Sequence, residues 1–234
     1  MLLASQSPRR RELLSCTGLG FDVTSADVDE SILPDESPAN YVLRLAEAKA
    51  RAVPHPGLPP GEEGTSSLSL RERAGGEGIV IGSDTAVVDA DQILGKPRDA
   101  REAEAMLRQL RGRTHQVYTA IAIYHPEGGM LETDLCISDV PMRAYEDAEV
   151  DTYIQSGDPL DKAGGYAIQH AGFHPVESFS GCFASVMGLP ICHTARTLEK
   201  AGVSVSADMP QHCQSSLNYD CTISSAVLRG ENLG

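Results

Sequence analysis

Three arginines in a row, Arg9, Arg10 and Arg11, stand where a helix gains nothing from them. They follow Met1–Ala4, an apolar run that reads as a short strand, and the polar break Ser5-Gln6-Ser7. Pro8 suits a first helical turn and Ser7 its N-cap. The free N–H groups and dipole of a helix start attract anions, so cations there disfavour the helix itself. Arg9 and Arg10, with the hydroxyls of Ser5 and Ser7 beside them, therefore suggest a bound polyanion rather than a merely solvated basic turn. Arg11 suits either reading.

Carboxylates supply the second kind of chemistry. Asp84 follows the most hydrophobic stretch, Ile79-Val80-Ile81-Gly82, which places it at the carboxyl edge of a sheet. Ligands bind at such edges in α/β folds, where an Asp can hold a divalent metal or orient a water. The plain alternative is an Asp that opens a turn. Glu30, in the acidic run Asp27-Val28-Asp29-Glu30, offers a second carboxylate or a solvated side chain. The chain has four lysines, Lys49, Lys96, Lys162 and Lys200, against fifteen arginines. Lys96 precedes a proline at a strand end, Lys49 sits in a helical pattern, and Lys162 lies in the glycine-rich run Asp161–Gln169. Those glycines allow close backbone approach to a ligand, and Gln169 carries both a donor and an acceptor, as reading a base edge requires. No HxxxH or HExxH spacing and no GxSxG elbow is present, which disfavours a histidine metal site and a serine nucleophile.

The elements that must hold these groups follow from pattern. Strands are expected at 1–4, 21–24 and 79–82, with a hairpin over 87–94 and two long antiparallel strands at 117–124 and 131–143. Helices are expected from Pro8 on, with Leu13, Leu14 and Leu19 on the apolar side, and at 38–53, 99–110, 145–155 and 190–201, the last capped by Gly202. Between 54 and 78, Gly, Pro and Ser fill 13 of 25 positions, the composition of a flexible insertion. Residues 203–234 are Ser-rich without periodicity and read as a poorly ordered tail after a domain over 1–202.

Composition narrows the class. At 234 residues, with 41% hydrophobic and 22% charged residues, the chain is of ordinary globular type. A net charge of −14 opposes a general nucleic-acid coat, so an anionic ligand would need a local basic pocket. Six scattered cysteines without a CxxC pair point to reduced, structural thiols. No 18-residue apolar run exists, and the apolar-then-basic start inverts a signal peptide, so neither nucleic acid nor membrane is expected as a partner and a cytoplasmic location is.

Taken in order, these segments resemble one known family. Leu3-Ala4-Ser5-Gln6-Ser7-Pro8-Arg9-Arg10-Arg11-Glu12-Leu13-Leu14 is similar to the opening signature of the Maf nucleotide pyrophosphatases. The likeness continues through Asp29-Glu30, Ala46-Glu47-Ala48-Lys49-Ala50, Gly82-Ser83-Asp84-Thr85, Gly95-Lys96-Pro97, Thr114-His115-Gln116-Val117, residues 156–169 and Val186-Met187-Gly188-Leu189-Pro190. It spans about residues 1–202. The 54–78 insertion and the Ser-rich end depart from the family without touching a motif position.

The resemblance implies an α/β fold, a mixed twisted sheet with flanking helices and two lobes around a central cleft (Maf/inosine-triphosphatase-like). It implies hydrolysis of a nucleoside triphosphate to monophosphate and pyrophosphate with a divalent cation, Mg²⁺ or Mn²⁺. Asp84 becomes the catalytic carboxylate, as proton acceptor or metal ligand, with Glu30 assisting at the metal. Arg10, Lys49, Lys96 and Lys162 would neutralise the triphosphate. In the branch acting on dTTP and UTP, the first arginine of the opening motif, the Thr after the catalytic Asp and the late Gln mark base selection. Arg9, Thr85 and Gln169 stand at those places, whereas the 7-methyl-GTP branch carries Gln after the Asp. The expected partner is a small nucleotide, with a homodimer left open. The rival reading is a nucleotide sensor or division-linked interaction protein that uses the same pocket without turnover.

Overall fold

A computed structural model describes residues 1–53 and 78–234; the 54–78 insertion therefore lies, apart from Gly78, outside the described residues. The strands are β1 (Leu2–Ala4), β2 (Asp22–Thr24), β3 (Val80–Asp89), β4 (Gln92–Leu94), β5 (Thr114–His125) and β6 (Met130–Pro141). They form one six-stranded mixed sheet in the order β2-β1-β3-β5-β6, with β4 paired to β3. β1 is parallel to both β2 and β3, while β3, β5 and β6 run antiparallel. The helices are α1 (Pro8–Ser15), α2 (Pro38–Arg51), α3 (Ala100–Leu110), α4 (Asp147–Gln155), α5 (Phe183–Val186), α6 (Ile191–Lys200), α7 (Met209–Leu217) and α8 (Ser224–Leu228). The α/β class with a mixed sheet and flanking helices is as expected.

The period of two along a strand explains how the sheet is covered. Val80, Ala86 and Val88 of β3 and Ala120 and Ala122 of β5 face α2, meeting Val42, Ala46 and Ala50. The alternate residues Ile81, Ile121 and Ile123 pack with Leu13, Leu14, Leu189 and Leu198. Further along the same face, Val87 and Val117 join Leu107, Leu110, Val150 and Tyr153 of α3 and α4. Two core clusters thus share one face of the sheet, one for each lobe, and the site opens between them.

The expectation of a structureless end at 203–234 is corrected. Residues 209–217 and 224–228 are helical, and Met209 and Val227 are buried. The reason lies in α6, where every residue from Ile191 to Leu198 is buried. A helix buried on all sides needs cover on the face that would otherwise meet water, and α7 and α8 both pack against it. Arg196 ties the segment down, donating to Asp134 Oδ1 (2.7 Å) and to the carbonyls of Val227 (3.1 Å) and Glu231 (2.7 Å). Apolar spacing in α7 and α8 is diluted by Ser, Gln and His, so no period shows in the sequence.

His115 on β5 is 2% exposed, with Nε2 2.8 Å from the Tyr166 hydroxyl. Burial pushes its pKa down to about 4 from an ordinary 6.5. The unfolded chain then binds the proton more readily, so His115's contribution is complete above pH 6.5 and is lost as pH falls towards 4. That loss amounts to about 2 kcal/mol at pH 5. Urea unfolding of wild type and His115→Gln at pH 7 and pH 5 should show the wild type losing that much more stability on acidification. Equal losses would sink the assignment.

Candidate active site

The site begins where β1 stops. β3 pairs along its length with β5, from Val80↔Tyr124 to Val88↔Gln116. On its other edge it meets β1 at Val80 and Ile81 and β4 from Val87 to Asp89. Between them, residues 82–86 face no strand among the described residues. Asp84 sits in this gap, at mid-strand, not just beyond a strand end as its position after Ile79–Gly82 suggested. The break in the sheet belongs to the neighbouring strand: β1 ends at Ala4, and its carboxyl end opens the crevice that parallel strands offer to ligands.

The chain beyond β1 turns at once into α1. Ser5 Oγ accepts from the Ser7 N–H (3.2 Å), and Ser7 caps α1 by accepting from the Arg10 N–H (3.4 Å). The first turn of α1 has no acidic residue, in keeping with the opening signature. Arg10 then folds back across the gap. Its Nε donates to the Gly188 carbonyl at 2.8 Å and one terminal nitrogen to Thr85 Oγ1 at 3.2 Å. Gly188, at φ +112°, turns its carbonyl to this guanidinium and to the buried Ser83 hydroxyl at 2.9 Å.

Thr119 supports the same corner from β5. Its Oγ1 lies 2.8 Å from the Ser185 carbonyl and 3.1 Å from Thr85 Oγ1. The single Thr119 hydroxyl hydrogen goes to the carbonyl, which can only accept, so Thr85 is the donor in the contact between the two hydroxyls.

On the α2 face, one ammonium serves two carboxylates. Lys49 Nζ is 2.6 Å from both Asp84 Oδ1 and Glu30 Oε1. α2 presents Lys49 because Ser37 caps it and Val42, Leu45 and Ala46 bury its sheet-facing side. It also anchors the Glu30 loop, since the Tyr41 hydroxyl donates to the Glu30 carbonyl (3.0 Å) and Arg44 to Glu36 and the Ser31 carbonyl. Burial raises the Asp84 pKa, and the charges of Lys49 and Arg10 offset this only in part. Burial also works to raise Glu30, but there the Lys49 hydrogen bond and charge win and hold it below its ordinary value. Asp84 is therefore the more basic of two adjacent carboxylates.

The far wall comes from the second lobe. Lys162 Nζ donates to Asp158 Oδ1 (2.9 Å), to the Asp158 carbonyl (2.7 Å) and to Asp161 Oδ1 (2.6 Å). Gln169 is exposed at the rim. Lys96 and Arg9 line the same space and make no hydrogen bond or ion pair among the described residues.

All the residues singled out from the sequence (Ser5, Ser7, Arg9, Arg10, Glu30, Lys49, Asp84, Thr85, Lys96, Lys162 and Gln169) border a single cavity of about 1140 Å³. Five lysines and arginines and four carboxylates line it, so it is slightly positive within an acidic protein. Sequence reasoning missed Tyr41, Ser83 and Thr119. A Thr at an inward position among apolar residues was the available signal for Thr119. Nothing in the local sequence marks Tyr41.

Comparison with known proteins gives the family. The profile of the Maf-like protein family matches residues 1–201. The dTTP/UTP pyrophosphatase of Anaeromyxobacter dehalogenans (strain 2CP-C) is 43% identical over 212 residues, covering 90% of this chain and 98% of that one. A protein of the same name from Hahella chejuensis is 41% identical over 209 residues, covering 89% and 95%. Another from Chromobacterium violaceum is 42% identical over 200 residues, covering 86% and 93%.

Proposed function

The chain belongs to the Maf family, and from that premise we propose that it hydrolyses dTTP and UTP to the nucleoside monophosphate and pyrophosphate in the cavity around Asp84. The observation that carries this reading is the Asp84–Lys49–Glu30 array, set in a gap of the sheet and ringed by cations. Attack of water on a phosphorus forms one P–O bond and breaks another, with pyrophosphate leaving. Asp84, with its raised pKa, takes the proton from that water. Lys96, without an ion pair among the described residues, meets the phosphates first, and Arg10, Lys49 and Lys162 hold their charge ready behind it. Such catalysis is mostly positioning and charge stabilisation.

The donor set fits a divalent cation of the hard kind. Asp84 and Glu30 both reach the Lys49 ammonium, so the two carboxylates are close enough to serve one cation beside it or in its place. No group of three or more His, Cys, Asp or Glu suited to a metal occurs among the described residues. Two carboxylates completed by phosphate and water are the usual manner of holding Mg²⁺. Bound there, such a cation supplies charge neutralisation and polarises the phosphate. A polyanion entering a cavity of nearly balanced charge has use for it.

Base choice falls to the rim. Uracil and thymine present two carbonyls and an imide N–H; Gln169 supplies a donor and an acceptor, and Arg9 supplies further donors. Cytosine reverses two of these polarities, and an unpaired buried polar group costs about 1–3 kcal/mol. UTP and dTTP should therefore exceed CTP in kcat/KM by roughly tenfold or more. Pyrophosphate release, followed across the common nucleotides with Mg²⁺ or Mn²⁺, is the test. Equal efficiencies on UTP and CTP would remove Gln169 from base reading, and absence of release would favour a non-catalytic nucleotide-binding protein. No helix among the described residues is long and apolar enough to cross a membrane, and a nucleotide is the partner this reading requires.

A further inference from the structure

Lys162 and Gln169 are the phosphate-facing and base-facing groups of one wall, and a buried hydroxyl joins the segments that carry them. Tyr153 on α4 is 2% exposed. Its hydroxyl donates to Asp158 Oδ2 at 2.7 Å and accepts from the Ala167 N–H at 3.1 Å. Asp158 in turn receives the Lys162 ammonium on its other carboxylate oxygen and on its carbonyl. Ala167 lies two residues before Gln169. The residue after Gln169 also touches Tyr153: the His170 ring stands edge-on to the tyrosine, centroids 4.7 Å apart. His170 Nδ1 accepts from the N–H groups of Gly172 (3.3 Å) and Phe173 (2.9 Å), and the Phe173 ring stacks on Tyr153 at 4.4 Å. Both flanks of Gln169 therefore rest on one side chain, which also sets the carboxylate that aims Lys162.

We propose that Tyr153 is a positioning residue that couples triphosphate binding at Lys162 to base selection at Gln169, an inference resting on the dTTP/UTP reading above. The hydroxyl is the shared element. With phosphate drawing on Lys162, Asp158 and the Tyr153 hydroxyl move as a unit with the Ala167 N–H, so base and phosphate are gripped together. Tyr153→Phe keeps the stack on Phe173 and the contact with His170 while removing both hydrogen bonds. The protein should then grip a uracil base loosely even though Gln169 is intact.

The test measures kcat and KM for UTP and CTP in wild type, Tyr153→Phe and Asp158→Ala, with thermal unfolding reporting the fold. Tyr153→Phe is expected to lower the UTP/CTP ratio of kcat/KM about fivefold, chiefly through a higher KM for UTP, and to weaken inhibition by inorganic tripolyphosphate. Asp158→Ala removes the acceptor on the phosphate side and leaves the ring in place. It should also lower the UTP/CTP ratio, although Asp158 stands on the phosphate side. It decides the matter should Tyr153→Phe fail to fold. Equal proportional losses on UTP and CTP in the folded variants mark a merely structural tyrosine and overturn the inference alone. A wild type that treats UTP and CTP equally overturns the base reading, and the coupling with it.

Discussion

Asp84→Asn should abolish pyrophosphate release, by at least a hundredfold in kcat, in a protein that folds and still binds nucleotide. The amide keeps the size of the carboxylate and can still accept from Lys49, so packing around the gap is preserved. What it loses is the capacity to take a proton and to hold a cation, and general-base assistance alone is worth about 10²–10⁴ in rate. Wild type also has a signature that the variant lacks. Because burial raises the Asp84 pKa, the acid limb of its kcat/KM profile should lie above the ordinary carboxylate range. Residual activity in Asp84→Asn should show no such limb. A folded variant with near-normal turnover would displace Asp84 from the chemistry and leave Glu30 as the base.

Gly82→Ala should damage stability and activity together. A Cβ built at Gly82 would overlap the Ala46 carbonyl oxygen and lie 2.8 Å from the Ala50 nitrogen. Both are backbone atoms of α2, so no side chain can swing aside to make room. α2 must move away from β3, and overpacking of this kind costs about 1–3 kcal/mol, more where backbone is the obstacle. The same movement carries Lys49 away from Asp84, so turnover should fall at least tenfold even at temperatures where the variant is folded. Urea unfolding and pyrophosphate release, measured on the same preparation, check both. A variant of normal stability would mean that α2 tolerates an outward shift and that its close approach is not what places Lys49.

The legible and illegible parts of this molecule divide on physical grounds. Ser7 before a Pro-led turn announced α1, because caps and first-turn prolines are local chemistry, and helical spacing announced α2. The cavity residues were found because charged side chains in glycine-rich or strand-end settings are conspicuous, and because the order of the motifs resembled a known family. Asp84 was placed at the wrong point of its strand. Its surroundings depend on where β1 ends, some eighty residues earlier in the chain, and no window around Asp84 contains that fact. Tyr153 was not singled out within the helix expected over 145–155. Its hydroxyl matters through Asp158 and Ala167, contacts that exist only when α4 lies beside the Lys162 turn. The helices after Gly202 were hidden for a related reason: their stability comes from covering α6, not from their own pattern.

The seat of β1 bears on the order in which the protein acquires its structure. β5 and β6 are joined by a short turn and close early, as local pairings do. β1 lies between β2 and β3, and its partners Val80 and Ile81 come much later in the chain. A parallel pairing across that separation pays its loop-closure cost before any contact repays it. Ser5, Ser7, Arg9 and Arg10 all hang from the end of this strand. A chain that has formed the β5–β6 hairpin, and even added β3, therefore has no crevice for a nucleotide. In refolding experiments, tight nucleotide binding should return in the slowest phase, after most of the secondary structure. The strand that carries these four residues is the last to be seated.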